Sequence, residues 1–291
     1  MRKNQTRILY GKELAELTKD YTKKAIKREG YQPVLGIITV DGGNSASKVY
    51  LKNKLAVAKE CGVEVKHYSA EVKNLKETMA QAIEECTSIM IQKPTGIEYP
   101  QQEQMFFNTI PQYKDVDVMG YMAKGAFYAN GGLAPCTAIS VMRLLEFYHI
   151  DLKGENVVII SRSNAVGKPL AEICLNHDAT VTVCHSKTPA KMLKKICKKA
   201  DIIITAAGAP KLLTRDMVKK DSVIIDVSIN RDENGNLCGD ADFKNLLGKV
   251  AAISPVPGGV GAVTTAELMY SVYANCMMQE IVRLNDERLR D

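Results

Sequence analysis

The stretch ENVVIISRSNAVGKPLAEICLNHDATVTVCHS, residues 155–186, decides the fold. ENVVIIS (155–161) is a short apolar run rich in β-branched residues, the pattern of a strand buried on both faces. RSNAVGKP (162–169) is a turn, Leu170 to Asn176 holds a helix, and ATVTVCHS (179–186) is a second strand. Downstream the alternation continues: Lys191 to Ala200 reads as a helix, DIIITAAG (201–208) as a third strand and SVIIDVSIN (222–230) as a fourth. Strands separated by helices build a parallel sheet, and this order is that of a Rossmann-type dinucleotide domain.

The usual GxGxxG is missing. Only Gly167 remains, and Ser161, Arg162 and Ser163 occupy the positions where early glycines are expected. Arg162 directly after the first strand, and Ser186 at the end of the second, stand where a ribose 2′-phosphate would lie. No Asp or Glu ends that second strand to take a 2′-hydroxyl, so NADP is favoured, with NAD still possible.

Upstream the same alternation recurs. Glu13 to Arg28 is amphipathic and helical, PVLGIITV (33–40) is a buried strand, and EVKHYSA (64–70) and SIMIQ (88–92) are further strands around a helix near 74–86. Between the first two strands lies GGNSASKVYLKNKLAVAKEC (42–61), a glycine turn, N-cap candidates, and one helix from Ser45 to Cys61. Projected at about 100° per residue, Val57, Tyr50, Cys61, Lys54, Ser47, Ala58 and Leu51 share one side, and Lys48, Lys52 and Lys59 the other.

Lys54 thus falls on the apolar face. Burial of an ammonium lowers its pKa, so such a lysine can be neutral near pH 7 and act as a base. Periodicity alone leaves open the alternative, a lysine snorkelling past the core edge to water. Tyr50 is one turn away on the same face, where its ring could stack on a flat ligand. Gln92 ends its strand, and in open parallel sheets ligands gather at the carboxyl ends of strands, which brings Gln92 towards Lys54. PQYKDVDVMG (111–120) carries Asp115 and Asp117 in a loop, and SPVPGGVGAVTTAEL (254–268) is a shaped loop feeding a long helix to about Leu284.

Composition narrows the classes of function. With 291 residues, 46% apolar, the chain can bury a large core and divides into two domains; few aromatics and no Trp suit an α/β protein. A net charge of +6 is modest, and Lys194, Lys195, Lys198 and Lys199 read as a solvated helix face, so no nucleic-acid partner is expected. Eight cysteines, at 61, 86, 136, 174, 184, 197, 238 and 276, form no CxxC pair and no Cys/His ligand spacing, which argues for a reducing compartment and no metal. Without a membrane-length apolar run or a signal-like start, no membrane contact and a cytoplasmic location are expected.

Assembled in order, N-S-A-S-x-x-Y-x-x-x-K (44–54), Gln92, K-D-V-D (114–117), P-C-T (135–137), R-S-x-x-V-G-x-P (162–169), C-H-S-K-T (184–188), D-V-x-I-N-R (226–231) and P-V-P-G-G-V-G (255–261) resemble the methylenetetrahydrofolate dehydrogenase/cyclohydrolase family. The resemblance implies a folate-binding catalytic domain (1–136 plus 265–291, the last helix returning to it) and a Rossmann-type NADP-binding domain (137–264). It implies NADP-dependent oxidation of 5,10-methylenetetrahydrofolate to the 5,10-methenyl compound and hydrolysis of that to 10-formyltetrahydrofolate, by a homodimer paired at the second sheet's edge.

Lys54 would match the catalytic lysine, Gln92 the glutamine holding it, Tyr50 the tyrosine stacked on the folate, and Asp117 the carboxylate that binds the pterin's donor pair. Ser47, Pro257 and Gly258 would add folate contacts, and Ser161, Arg162, Ser163, Ser186 and Ile229 would contact NADP. Several positions depart from the usual pattern. Gln92 is followed by Lys93, Pro94, Thr95 and Gly96 rather than L-P-L-P, Val118 replaces Gly, Ala138 replaces Pro, Ser161 and Ser228 replace glycines, and Ala262 and Val263 replace Pro-Met. These changes bear on the balance of activities, and the alternatives are a single-activity or NAD-using member and a non-catalytic folate-binding paralogue.

Overall fold

The structure, a computed structural model, describes residues 5–40, 45–129 and 132–288; the side chains of 45–50 and 286–288 lie outside the description. In chain order its first elements are β1 (Arg7–Ile8), α1 (Lys12–Glu29), β2 (Val34–Val40), α2 (Ser45–Cys61), β3 (Glu64–Ala70), α3 (Leu75–Glu85), β4 (Ser88–Ile91), α4 (Pro100–Phe107), α5 (Tyr121–Tyr128) and α6 (Cys136–Phe147). They are followed by β5 (Asn156–Ile160), α7 (Gly167–Asn176), β6 (Thr180–Cys184), α8 (Ala190–Cys197), β7 (Ile202–Thr205) and β8 (Val223–Asp226). The chain closes with β9 (Asn230–Arg231), β10 (Leu237–Cys238), α9 (Phe243–Leu246), β11 (Ala252–Ile253) and α10 (Val260–Arg288). Two compact units result, one of residues 16–136 with the chain from 265, the other of the chain to residue 15 with 137–264.

The first unit is built on a parallel three-stranded sheet in the order β3-β2-β4. Its central strand, VLGIITV, is almost wholly apolar because both faces are covered. Leu35 and Ile37 of β2 and Met90 of β4 pack with Ala58 and Cys61 of α2 and with Leu268, Met269 and Val272 of α10. The helical period of α2 explains its orientation: Ala58 and Cys61 are fully buried, whereas Lys52 and Lys59 on the opposite side are exposed.

The second unit carries a six-stranded sheet in the order β1-β11-β8-β7-β5-β6, parallel throughout. Val158, Ile160, Ile203 and Ile224 of its strands form a core with Leu193 and Cys197 of α8. An antiparallel hairpin, β9-β10, stands apart from it.

One boundary differs from expectation. Residues 1–15 were expected with the first domain, yet Arg7 and Ile8 pair with Ala252 and Ile253, which joins this segment to the six-stranded unit. Two paired residues carry no periodicity that a sequence pattern can register. The strands β6, β7 and β8 also stop two to four residues before the expected ends, leaving 185–186, 206–208 and 227–229 as loops at the carboxyl edge of the sheet, while Asn230 opens β9. Lys93–Pro94 and Val256–Pro257 are cis. Among the described residues no helix is long and apolar enough to cross a membrane, and none of the eight cysteines is in a disulfide.

Candidate active site

In the three-stranded unit, β4 ends at Ile91, and the Gln92 amide N–H extends the ladder by donating to the Ile38 carbonyl at 2.8 Å. This carries the buried Gln92 side chain off the carboxyl edge of the sheet. Lys54 Nζ donates to Gln92 Oε1 at 2.5 Å, and Gln92 Nε2 donates to the Lys93 carbonyl at 2.8 Å. The second bond fixes which end of the amide faces the lysine.

Burial pushes the Lys54 amine below its ordinary pKa, against the pull of Asp117 and Cys136. Burial likewise pushes the Asp117 carboxyl up, against Lys54 and Lys93. Desolvation therefore outweighs the mutual attraction for both groups, and both move towards their neutral forms. A neutral amine that donates one N–H to Gln92 keeps its lone pair for a proton.

Asp117 is held by a braced loop. Lys114 Nζ donates to the Ile83 and Cys86 carbonyls at 2.6 and 2.8 Å, where α3 ends. Asp115 forms an isolated bridge with Ile89, and its Oδ2 accepts from the Met119 and Gly120 amides at 2.9 and 2.7 Å. The two carboxylates thus divide their work: Asp115 ties the turn, and Asp117 shares its electrostatic surroundings with Lys54. Val118 has a left-handed backbone with φ 56°, a region that favours glycine.

The altered strand end forms a network of its own. Lys93 Nζ lies 2.9 Å from Glu103 Oε2 and 5.3 Å from the centre of the Phe107 ring, and Thr95 Oγ1 donates to Glu103 Oε1 at 2.6 Å. Lys93 and Glu103 were not among the expected site residues. Their pairing links a strand end to the first turn of α4, whose start Pro100 at the first helical position could have signalled. Tyr50 and Ser47 lie on α2, but their side chains fall outside the described residues.

In the six-stranded unit, a cavity of about 460 Å³ opens at the carboxyl ends of β5, β6 and β7. Ser161, Arg162, Ser163 and Ser186 line it, as do His185 and Thr188 of the C-H-S-K-T motif and Ala206, Ala207 and Ala209, none of which was named as a nucleotide contact. Ser163 Oγ accepts from the Val166 and Gly167 amides at 3.2 and 3.3 Å, organising the start of α7. A Cβ on Gly167 would stand 2.3 Å from the Ser161 carbonyl oxygen, so this turn admits only glycine. Arg162 and Ser186 are both exposed, and the residues after β6 include no carboxylate. That set suits a 2′-phosphate and offers no carboxylate to take a 2′-hydroxyl.

Ile229 is exposed on the loop after β8 and does not line this cavity. Pro257 and Gly258 follow Val256 in the same unit; Gly258 has φ 100°, and its carbonyl accepts from the Gly11 amide at 2.8 Å. Lys54, Gln92 and Asp117 belong to the other unit.

A parallel sheet with a phosphate-suited cavity at its carboxyl edge, in a chain that also carries a desolvated lysine, defines the class of nucleotide-dependent α/β enzymes. The chain matches the model of the tetrahydrofolate dehydrogenase/cyclohydrolase catalytic domain over residues 9–117 and that of the family's NAD(P)-binding domain over residues 135–280. It is 40% identical over 278 residues to the bifunctional protein FolD of Streptococcus thermophilus, covering 91% of this chain and 96% of that one.

Among solved structures, the bifunctional FolD of Campylobacter jejuni shares 35% identity, with a TM-score of 0.86 and coverage of 94% and 99% of the two chains. The Trypanosoma brucei dehydrogenase-cyclohydrolase complexed with NADP and an inhibitor shares 28%, with a TM-score of 0.88 and coverage of 95% and 99%. This chain belongs to the tetrahydrofolate dehydrogenase/cyclohydrolase family.

Proposed function

We propose that the chain oxidises 5,10-methylenetetrahydrofolate to the 5,10-methenyl cation with NADP as hydride acceptor, then hydrolyses that cation to 10-formyltetrahydrofolate. The observation that carries this reading is the Lys54–Gln92 hydrogen bond around an amine whose charge is disfavoured by burial. Bound nucleotide supplies the acceptor for the hydride. The chain's own groups do the rest.

An ammonium fixed beside a forming cation would raise its energy, whereas the neutral Lys54 amine leaves the oxidation unopposed. In the hydrolytic step the same amine accepts a proton from the attacking water, and Gln92 holds it in line. Asp117, as a carboxylate, accepts the two parallel donors of the pterin edge. Tyr50, Ser47, Pro257 and Gly258 contact the folate, and Arg162 and Ser186 take the 2′-phosphate, with Ser161, Ser163 and Ile229 as further nucleotide contacts.

Two copies pair through an edge of the six-stranded sheet, of whose two edge strands β6 exposes Val183. Eight cysteines without a disulfide support a cytoplasmic site of action, where the formyl product would feed one-carbon transfers such as purine synthesis.

The decisive experiment offers methylenetetrahydrofolate to purified protein with NADP or NAD and follows methenyl and formyl products separately. Both products are expected, faster with NADP. Lys54→Met should lower methenyl hydrolysis by about 10²-fold or more. Wild-type hydrolysis by this variant would remove the lysine from the mechanism.

A further inference from the structure

We infer that Asp240 is a positioning residue for the nucleotide site: one buried carboxylate ties together the loops that follow β7 and β8. Asp240 is fully buried. Its Oδ2 accepts from Thr205 Oγ1, the Ala207 amide and Ser228 Oγ, each at 2.7 Å. Its Oδ1 accepts from the Ala209 amide at 2.8 Å and from Asn230 Nδ2 at 2.9 Å. All five donors are neutral, and a carboxylate offers about four lone-pair sites for them. Hydrogen bonds to an ionised acceptor are roughly twice as strong as neutral ones, so this residue fixes both loops more firmly than backbone contacts alone.

The consequence is local to the site. Ala206, Ala207 and Ala209 wall the cavity assigned to the nucleotide, and Ile229 lies between two residues bonded to Asp240. Asp240 touches neither the cavity nor a reacting atom; it acts through the loops. Ser228, which stands where the family pattern has glycine, adds a cross-tie of its own. Its hydroxyl donates to Asp240 and accepts from the Gly208 amide at 3.1 Å, joining the two loops directly. The departure that put the backbone geometry in question therefore reinforces it.

The inference rests on the proposed reading of this cavity, and the test separates the two. Asp240→Asn keeps the shape but turns an –NH₂ group towards either the Oδ2 or the Oδ1 donors, orphaning the Ala207 or the Ala209 amide. The expected result is a KM for NADP raised about tenfold or more, with methenyl hydrolysis assayed without nucleotide retained. Ser228→Gly should raise that KM in the same direction but less.

The inference is overturned if the NADP KM of Asp240→Asn equals that of wild type. It is also overturned if oxidation and hydrolysis fall together, the mark of a brace for the whole fold. Should Asp240→Asn fail to fold, Ser228→Gly and Thr205→Val are read alone, and an unchanged KM in both overturns it. A wild type that neither reduces NADP nor gains thermal stability from it would count against the assignment of the cavity itself.

Discussion

Burial and attraction pull the Lys54 amine in opposite directions, and burial prevails; the sign of that contest fixes a pH profile. Because the working form of the amine is unprotonated, kcat for methenyl hydrolysis should climb as pH rises through its lowered pKa and level off above it. Asp117 runs the other way along the chemistry but not along the axis. Its raised pKa leaves it protonated in acid, so the KM for folate should fall as pH rises through that value. Lys93 holds the Asp117 carboxyl down, and Lys93→Met should move the KM transition to higher pH. Steady-state kinetics across pH check both, and an unmoved KM transition would exclude Lys93 from the pocket's electrostatics. Lys54 and Gln92 were legible because two local rules, a helical face and a strand end, converge on one place. The Lys93–Glu103–Thr95 network was not, since neither residue type nor spacing says that a strand-end lysine will meet a glutamate on α4.

The 115–120 loop and the 161–167 turn show how an element imposes its demands on single positions. Val118 sits in the left-handed region at a cost of about 1–2 kcal/mol for a residue with a Cβ. Its side chain is buried, which contributes about 1.5–3 kcal/mol, and glycine would lose a further 0.5–1 kcal/mol or so in chain entropy. Burial wins, so Val118→Gly should lower stability by roughly 1 kcal/mol despite relieving the backbone, as urea unfolding would measure. At Gly167 the balance is one-sided. A methyl group would meet backbone atoms of Ser161 and Arg162, and Gly167→Ala should cost on the order of 1–3 kcal/mol and weaken NADP binding as the turn shifts. The strands and α2 were readable from period and composition. The tightness of the turn was readable only in part, because a serine now stands in place of the early glycine, and the role of its carbonyl is a property of the backbone path.

At the scale of the molecule, the N-terminal segment belongs to a sheet assembled otherwise from residues more than 140 positions away. The Arg7 and Leu9 amides donate to the Ala251 and Ile253 carbonyls at 2.8 and 2.9 Å, Thr6 Oγ1 donates to the Val250 carbonyl at 2.8 Å, and Leu9 is fully buried. Burying a leucine contributes about 1.5–3 kcal/mol and each such bond about 1 kcal/mol, against a whole-domain margin of about 5–15 kcal/mol. Removing the chain through Leu9 should therefore take a large share of the six-stranded unit's stability and leave β11 as a bare edge. Saturating NADP restores only RT ln(1 + [L]/Kd), about 2.7 kcal/mol at a hundred times Kd, so nucleotide should raise the truncated protein's Tm without recovering that of the full chain. Thermal unfolding of both forms with and without NADP reads this directly. A truncated protein with an unshifted Tm would mean that β1 is an appendage, and that β11 is stable as the edge of the nucleotide sheet.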